Sequence, residues 1–308
     1  MDFGTTDARD VVAGRKRFPW LAAGCILLLL PSSAWAWGPV THVAIGGSVL
    51  DAASVLPAAV AAILYRYRGS YLYGCIAADI VFAKRLSKVK QFCHHWSTAF
   101  GLLEVADSDR DRAFAYGYLS HLAADTVAHG KFVPRQVLMS GTSVSFGHLF
   151  WELRADATQA GAPQAELKEL IAADQDDHHA ALARRITDTF LPYDFNRIVF
   201  DRMNALAAHE AFRRRVDRWG RSLKGRLSGK LLRAYSEECV DRTLAVLTEG
   251  RRCALLREDP NGTSALMQLR VQRRDLRRMR RRGLSVARRL KESTKALAPA
   301  EPSFPRPT

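Results

Sequence analysis

Tyr118-Leu-Ser-His121-Leu-Ala-Ala-Asp125-Thr-Val-Ala-His129 is the stretch on which the fold of this chain turns. It holds no glycine or proline, and its spacing predicts a helix from about Arg110 to Gly130. His, Asp and His fall at i, i+4 and i+8. Residues four apart stack on one helical face, so all three side chains project to the same side, and the intervening alanines leave room for a metal ion and a substrate. Nineteen residues on, Gly147-His148-Leu-Phe-Trp-Glu152 repeats the pattern with His and Glu at i, i+4. Two facing helices that each present such a pair are a recurrent way to build a metal site inside a bundle. Imidazole with carboxylate, at about 2.0–2.2 Å, suits zinc and is too nitrogen-rich to favour calcium or magnesium.

The same helical signal extends outward on both sides. Further helices are predicted at about Thr41–Ala53, Ala58–Tyr65, Lys90–Leu103, Val144–Gln159, Gln164–Ala172, Asp177–Thr189, Tyr193–Ala208, Ala211–Trp219 and Leu227–Arg257. A Gly/Tyr-rich turn leads into Cys75–Ile80, and Asp259-Pro-Asn-Gly-Thr263 is a turn cluster that closes the domain. Strand-like alternation is scarce, and 48% apolar content over 308 residues suffices for one substantial core, which excludes a disordered chain. No repeat of fixed period is present, so a solenoid is excluded. The expected fold is all-α, a multi-helix bundle over residues 37–257, with residues 264–308 as a basic helix and a disordered Pro-rich end from Ala298.

The formal charge of +15 is uneven, because between Arg270 and Lys291 the arginines face a single acid, Asp275. Anionic lipid, nucleic acid and plain solvent all suit such a helix, and charge alone does not choose among them. At the other end, Arg15-Lys-Arg17, the apolar run Phe18–Leu30, Pro31 and Ala34-Trp-Ala36 read as a signal peptide over residues 1–36, cleaved after Ala36 to give an exported protein. The apolar run is short of the roughly 20 residues a span needs, so cleavage is preferred over a signal anchor. Of the cysteines beyond it, Cys239 and Cys253 are expected on one helix, about 21 Å apart and unable to bridge; pairing of Cys75 with Cys93 stays open.

Six of the nine histidines lie in the first half of the chain, beside other ligand types. Upstream of the two helical pairs stand Ala77-Ala-Asp79-Ile80, His94-His95-Trp96 and Trp37-Gly-Pro-Val-Thr-His42. A free α-amine chelates a metal with its own carbonyl oxygen, and cleavage after Ala36 would create one on Trp37. This ordered set resembles the bacterial zinc-dependent phospholipase C family and its relatives, the S1/P1-type nucleases. The resemblance runs over residues 37–155 by motif, and it implies a bundle of that type holding up to three zinc ions. One would take Asp79, His95, His121 and Asp125. A second would take His129, His148 and Glu152, and a third the amine and carbonyl of Trp37, His42 and a bridging Asp125. The histidine before the aromatic residue is the family's ligand, so His95 is assigned, with His94 as the second candidate. The implied activity is phosphodiester hydrolysis by metal-activated water, Asp79 doubling as general base and Glu152 named with it as catalytic.

The chain departs from that pattern twice. His129 follows Asp125 by four residues, without the longer, proline-containing interval of the best-known members, which predicts an unbroken helix and a shifted second zinc. None of Gly38, Pro39, Val40 and Thr41 supplies the acidic residue those members direct at choline, so phosphatidylcholine specificity is not implied. Blander roles stand beside the chemical ones. Asp79 also suits a helix cap, Asp174-Gln-Asp-Asp177-His178-His179 reads as an exposed helix start, and Trp96, Phe146, Phe150 and Trp151 suit core packing as well as a pocket lining. The expected function is a phospholipase C-like hydrolase with a phospholipid substrate, as a monomer, with an anionic membrane surface as partner of the arginine-rich segment. The alternatives are an S1/P1-type single-strand nuclease, with nucleic acid the lesser partner, and a non-catalytic metal-binding domain.

Overall fold

The computed structural model describes residues 37–81, 92–159, 161–186, 189, 191–220 and 227–304. The signal peptide expected over residues 1–36 lies outside them. Fourteen α-helices are present among the described residues, joined by short 3-10 and π turns, and no strand occurs among them. They are α1 Pro39–Asp51, α2 Ala58–Arg66, α3 Arg68–Ala77, α4 Trp96–Glu104, α5 Asp109–Val127, α6 Val133–Ser140, α7 Val144–Thr158, α8 Ala162–Ala172, α9 Asp176–Arg185, α10 Tyr193–Ala207, α11 Glu210–Gly220, α12 Gly229–Glu249, α13 Thr263–Arg281 and α14 Ala287–Lys295.

Helix α5 is the axis of the bundle. Ser108 caps it: the hydroxyl accepts from the Asp111 amide at 3.1 Å and donates to the Asp111 carboxylate at 2.6 Å, and Asp109 and Asp111 put negative charge at the positive end of the helix dipole. Nearly every residue from Ala113 to Val127 is buried, so α5 is enclosed by α1, α3, α4 and α12. Its crossing with α3 is made backbone against backbone. A Cβ on Gly74 would lie 2.1 Å from the Phe114 carbonyl oxygen, and one on Gly117 would lie 1.9 Å from that of Tyr71. The sequence around Gly74 reads as a turn, yet it is helical: the glycine serves close approach rather than chain reversal.

Other expectations are corrected as plainly. Helix α6 falls outside the predicted helices and carries Pro134 in its first turn, where the missing amide costs nothing. Helix α12 stops at Glu249 with Gly250 at φ 57°, so Cys253 is not on the helix of Cys239, and all four described cysteines are free and buried. Of the segment expected to be disordered from Ala298, the described residues 298–304 are tied along α12. Tyr235 donates to the Leu297 carbonyl at 2.6 Å, the Ala300 amide donates to Glu238 at 2.9 Å, and the Ser303 amide donates to Asp241.

The acidic start of α9 is exposed at Asp176 and Asp177, as the charge pattern implies, but His178 and His179 behind it are buried. His178 shares a 3.0 Å hydrogen bond with Ser70 and stacks on Phe114 at 4.4 Å between ring centres. His179 bonds Tyr73 at 2.8 Å and Tyr193 at 2.9 Å, so the pair joins α9 to α3 and α10.

Candidate metal centre

The crossing of α3 and α5 at their glycines sets the level of the centre. It brings the carbonyl of Cys75 to 2.8 Å from Nδ1 of His121, and the next turn, Ala78–Ile80, carries Asp79 to the same depth. A carbonyl can only accept, so Nδ1 of His121 holds the ring proton and Nε2 presents a lone pair to the interior. One helical turn further, Asp125 lies at the middle. Its oxygens stand 3.4 Å from His42 Nε2, 3.2 Å from His94 Nε2, 3.2 Å from His121 Nε2 and 3.8 Å from His129 Nε2.

His94 fills the position for which His95 was assigned, and this corrects the sequence-based choice. Phe92–His94 forms a 3-10 turn that sends the His94 ring inward, 1% exposed and 3.3 Å from Asp79. His95 adopts extended backbone as the N-cap of α4, and its side chain is exposed. The turn is fixed from outside: Asn261 donates to the His94 carbonyl at 3.3 Å, and the Trp96 indole donates to the Glu258 carbonyl at 3.0 Å. The domain-closing segment Asp259–Thr263 therefore reaches the centre itself. Gly262, at φ 61°, presses on the backbone of His129, where a Cβ would come within 2.4 Å of that residue's own Cβ.

His129 is aimed by a local change of helix type. The helix does run on past Asp125, but Ala128–Phe132 takes a π turn, with more residues to the turn, and His129 within it keeps its Nε2 3.8 Å from Asp125. Its ring then meets His148 edge to face at 4.8 Å, and His148 in turn sits 2.7 Å from Glu152, one turn along α7. Three groups of ligand atoms result: Asp79, His94 and His121; His42, His121 and Asp125; His129, His148 and Glu152.

The donor spacing fits zinc. Donors about 2.0–2.2 Å from a tetrahedral ion lie about 3.3–3.6 Å from one another. The contacts around Asp125 at 3.2–3.4 Å approach that spacing. Neither oxygen of Asp125, nor Nε2 of His42, has a hydrogen-bond partner of acceptable geometry, although all are buried. Buried polar atoms left so are costly, and a shared cation satisfies them together. Burial alone would raise the Asp125 carboxyl, but the rings of His121, His42 and His94 hold it well below the usual carboxylate range. Burial, with His121 beside it, lowers His42 and keeps that imidazole neutral and able to coordinate.

Trp37 is fully buried, its indole against Phe132 at 4.4 Å, at the start of the segment that carries His42. Asp156, which the sequence reading passed over, holds that segment: it accepts from the amides of Val40 at 3.2 Å and Thr41 at 2.9 Å and from the Thr41 hydroxyl at 2.6 Å. The signal was present, since His148, Glu152 and Asp156 form one i, i+4, i+8 stripe on α7. Among the aromatics, Phe150 and Trp151 are buried in the core, and Phe146 stacks on Phe150 at 5.6 Å.

A family model described as zinc dependent phospholipase C matches residues 41–197, just over half of the chain. No curated protein and no solved structure matches.

Proposed function

We infer function from one premise: this chain belongs to the zinc-dependent phospholipase C family. The family is zinc-dependent, and the three ligand groups fit up to three zinc ions. The finer reading is a phosphodiesterase that releases the phosphorylated head group of a phospholipid, exported after removal of residues 1–36. The observation that carries it is the buried carboxylate of Asp125, with four imidazole nitrogens 3.2–3.8 Å from its oxygens.

Bound zinc supplies an acidified water and positive charge for the phosphoryl oxygens. The residues do the rest. Burial keeps the His42 ring neutral, the Cys75 carbonyl fixes the His121 ring, and Asp125 stands with one oxygen 3.4 Å from His42 and the other 3.2 Å from His94. His129, His148 and Glu152 form the third group across the floor made by α7. Asp79, at 9% the most exposed of the buried ligands, is the residue we propose as general base. Glu152 stays with His148 as a ligand at the far side.

Two further features support a lipid substrate. Phe150 and Trp151 are spent on the core rather than presented as stacking platforms, which a single-strand nuclease would need. Helix α13 begins at the turn that touches His129 and carries an outward face with Met267, Val271, Arg274 and Arg278. Met267 and Val271 are 61% and 55% exposed, a pairing of apolar side chains with arginine that suits an anionic bilayer beside the site.

Hydrolysis of a chromogenic phosphocholine ester, set against single-stranded DNA, tests the reading. Ester cleavage abolished by a chelator and restored by zinc is the expected result. Cleavage of DNA alone would make the chain a nuclease, and a zinc-loaded protein inert on DNA, on this ester and on choline-free phosphodiesters alike would make it a binding domain.

A further inference from the structure

Helix α1 starts without a cap of its own. Its N-cap is Gly38, which has no side chain to offer the first amides, and Pro39 follows. The missing acceptor comes from α7: the two oxygens of Asp156 take the amides of Val40 and Thr41 and the Thr41 hydroxyl. Glycine and carboxylate are fitted to each other, because a Cβ at position 38 would fall 2.2 Å from Asp156 Oδ2. Three donors on one buried carboxylate fix the first turn of α1 against α7 in position and rotation. That turn carries His42, whose Nε2 stands 3.4 Å from Asp125, and it follows directly on Trp37. Helix α7 thus serves two metal groups by different means, one through His148 and Glu152 and the other through the segment Asp156 clamps.

We infer that Asp156 is the positioning residue for the His42 metal group, clamping the first turn of α1 so that His42 is presented to Asp125. This rests on the reading of His42, His121 and Asp125 as a zinc site. Asp156 itself is not a ligand, since its oxygens are engaged by the three donors of α1.

The test is zinc per chain, by elemental mass spectrometry, in the protein purified from an exporting host, together with its unfolding midpoint in urea. His42→Ala should lose one zinc. Asp156→Asn places an amide NH2 against backbone amides, and Gly38→Ala pushes on the same contact from the opposite side. Each should lose the zinc that His42→Ala loses, and Asp156→Asn combined with His42→Ala should lose no more than either alone. Thr41→Val keeps the fold and removes one of the three contacts; it should release that zinc to a chelator about tenfold faster. Variants that unfold more readily yet keep full zinc would reduce Asp156 to a structural cap and overturn the inference. If His42→Ala itself kept all its zinc, the underlying metal reading would fall, and this inference with it.

Discussion

The Oδ2 atom of Asp125 lies 3.2 Å from Nε2 of His94, both groups buried, and His94 reaches it from a 3-10 turn far from α5 in sequence. This contact makes His94, and not its neighbour, the member of the centre. His94→Ala should lower zinc retention on the order of 100-fold, while His95→Ala, an exposed change, should shift stability by no more than about 0.5 kcal/mol. Chelator competition on the two variants reads the difference.

Asp125 stands between two ligand groups, Oδ1 3.4 Å from His42 and Oδ2 3.2 Å from His94. Asp125→Ala should therefore lose two zinc ions together and leave the one held by His129, His148 and Glu152. Elemental analysis showing a single ion lost would contradict the bridging role.

Gly74 is required by the approach of α3 to α5. Gly74→Ala drives a methyl into the Phe114 carbonyl and should cost about 3 kcal/mol, the upper end of overpacking, because backbone gives way on neither side. The urea midpoint measures it, and a variant as stable as wild type would show that the crossing tolerates a Cβ.

The buried histidines of α9 set an acid limit. Burial, with Arg110 close by, pushes His178 down to about 4; burial, with Arg197, does the same to His179, against the opposing influence of Asp111, Asp177 and Asp176. The unfolded chain, with histidine near 6.5, binds more protons than the folded one between those values. The stabilisation is thus fully present above about pH 6.5 and is lost as pH falls towards 4, by on the order of 2 kcal/mol for each ring. His178→Gln should flatten this acid limb in urea unfolding across pH 4–7; an unchanged slope would refute it.

Much of the centre was legible because its geometry is local. His121 and Asp125, or His148 and Glu152, fall on one helical face by spacing alone, and no distant contact alters that. Where tertiary packing decides, the sequence was mute. The choice between His94 and His95 depends on a 3-10 turn held by Asn261 and Trp96. The direction of His129 depends on a π turn that Gly262 packs against, and the helical state of the Gly74 region on a partner helix more than forty residues away. Asp156 lay within the legible stripe of α7, but its task is defined only by the α1 turn it meets.

Surface charge makes a separate prediction. Arg274→Glu with Arg278→Glu should weaken sedimentation with anionic phosphatidylglycerol vesicles by roughly 10-fold or more, at about 1 kcal/mol per arginine, and leave cleavage of a soluble ester unchanged. Equal binding of the variant would remove α13 from the membrane surface.

The most direct test of the whole account is zinc-edge anomalous diffraction from crystals of the protein. Peaks enclosed by Asp79, His94 and His121, by His42, His121 and Asp125, and by His129, His148 and Glu152 are the expected result. Zinc bound elsewhere, with no peak beside Asp125 at saturating metal, would contradict it.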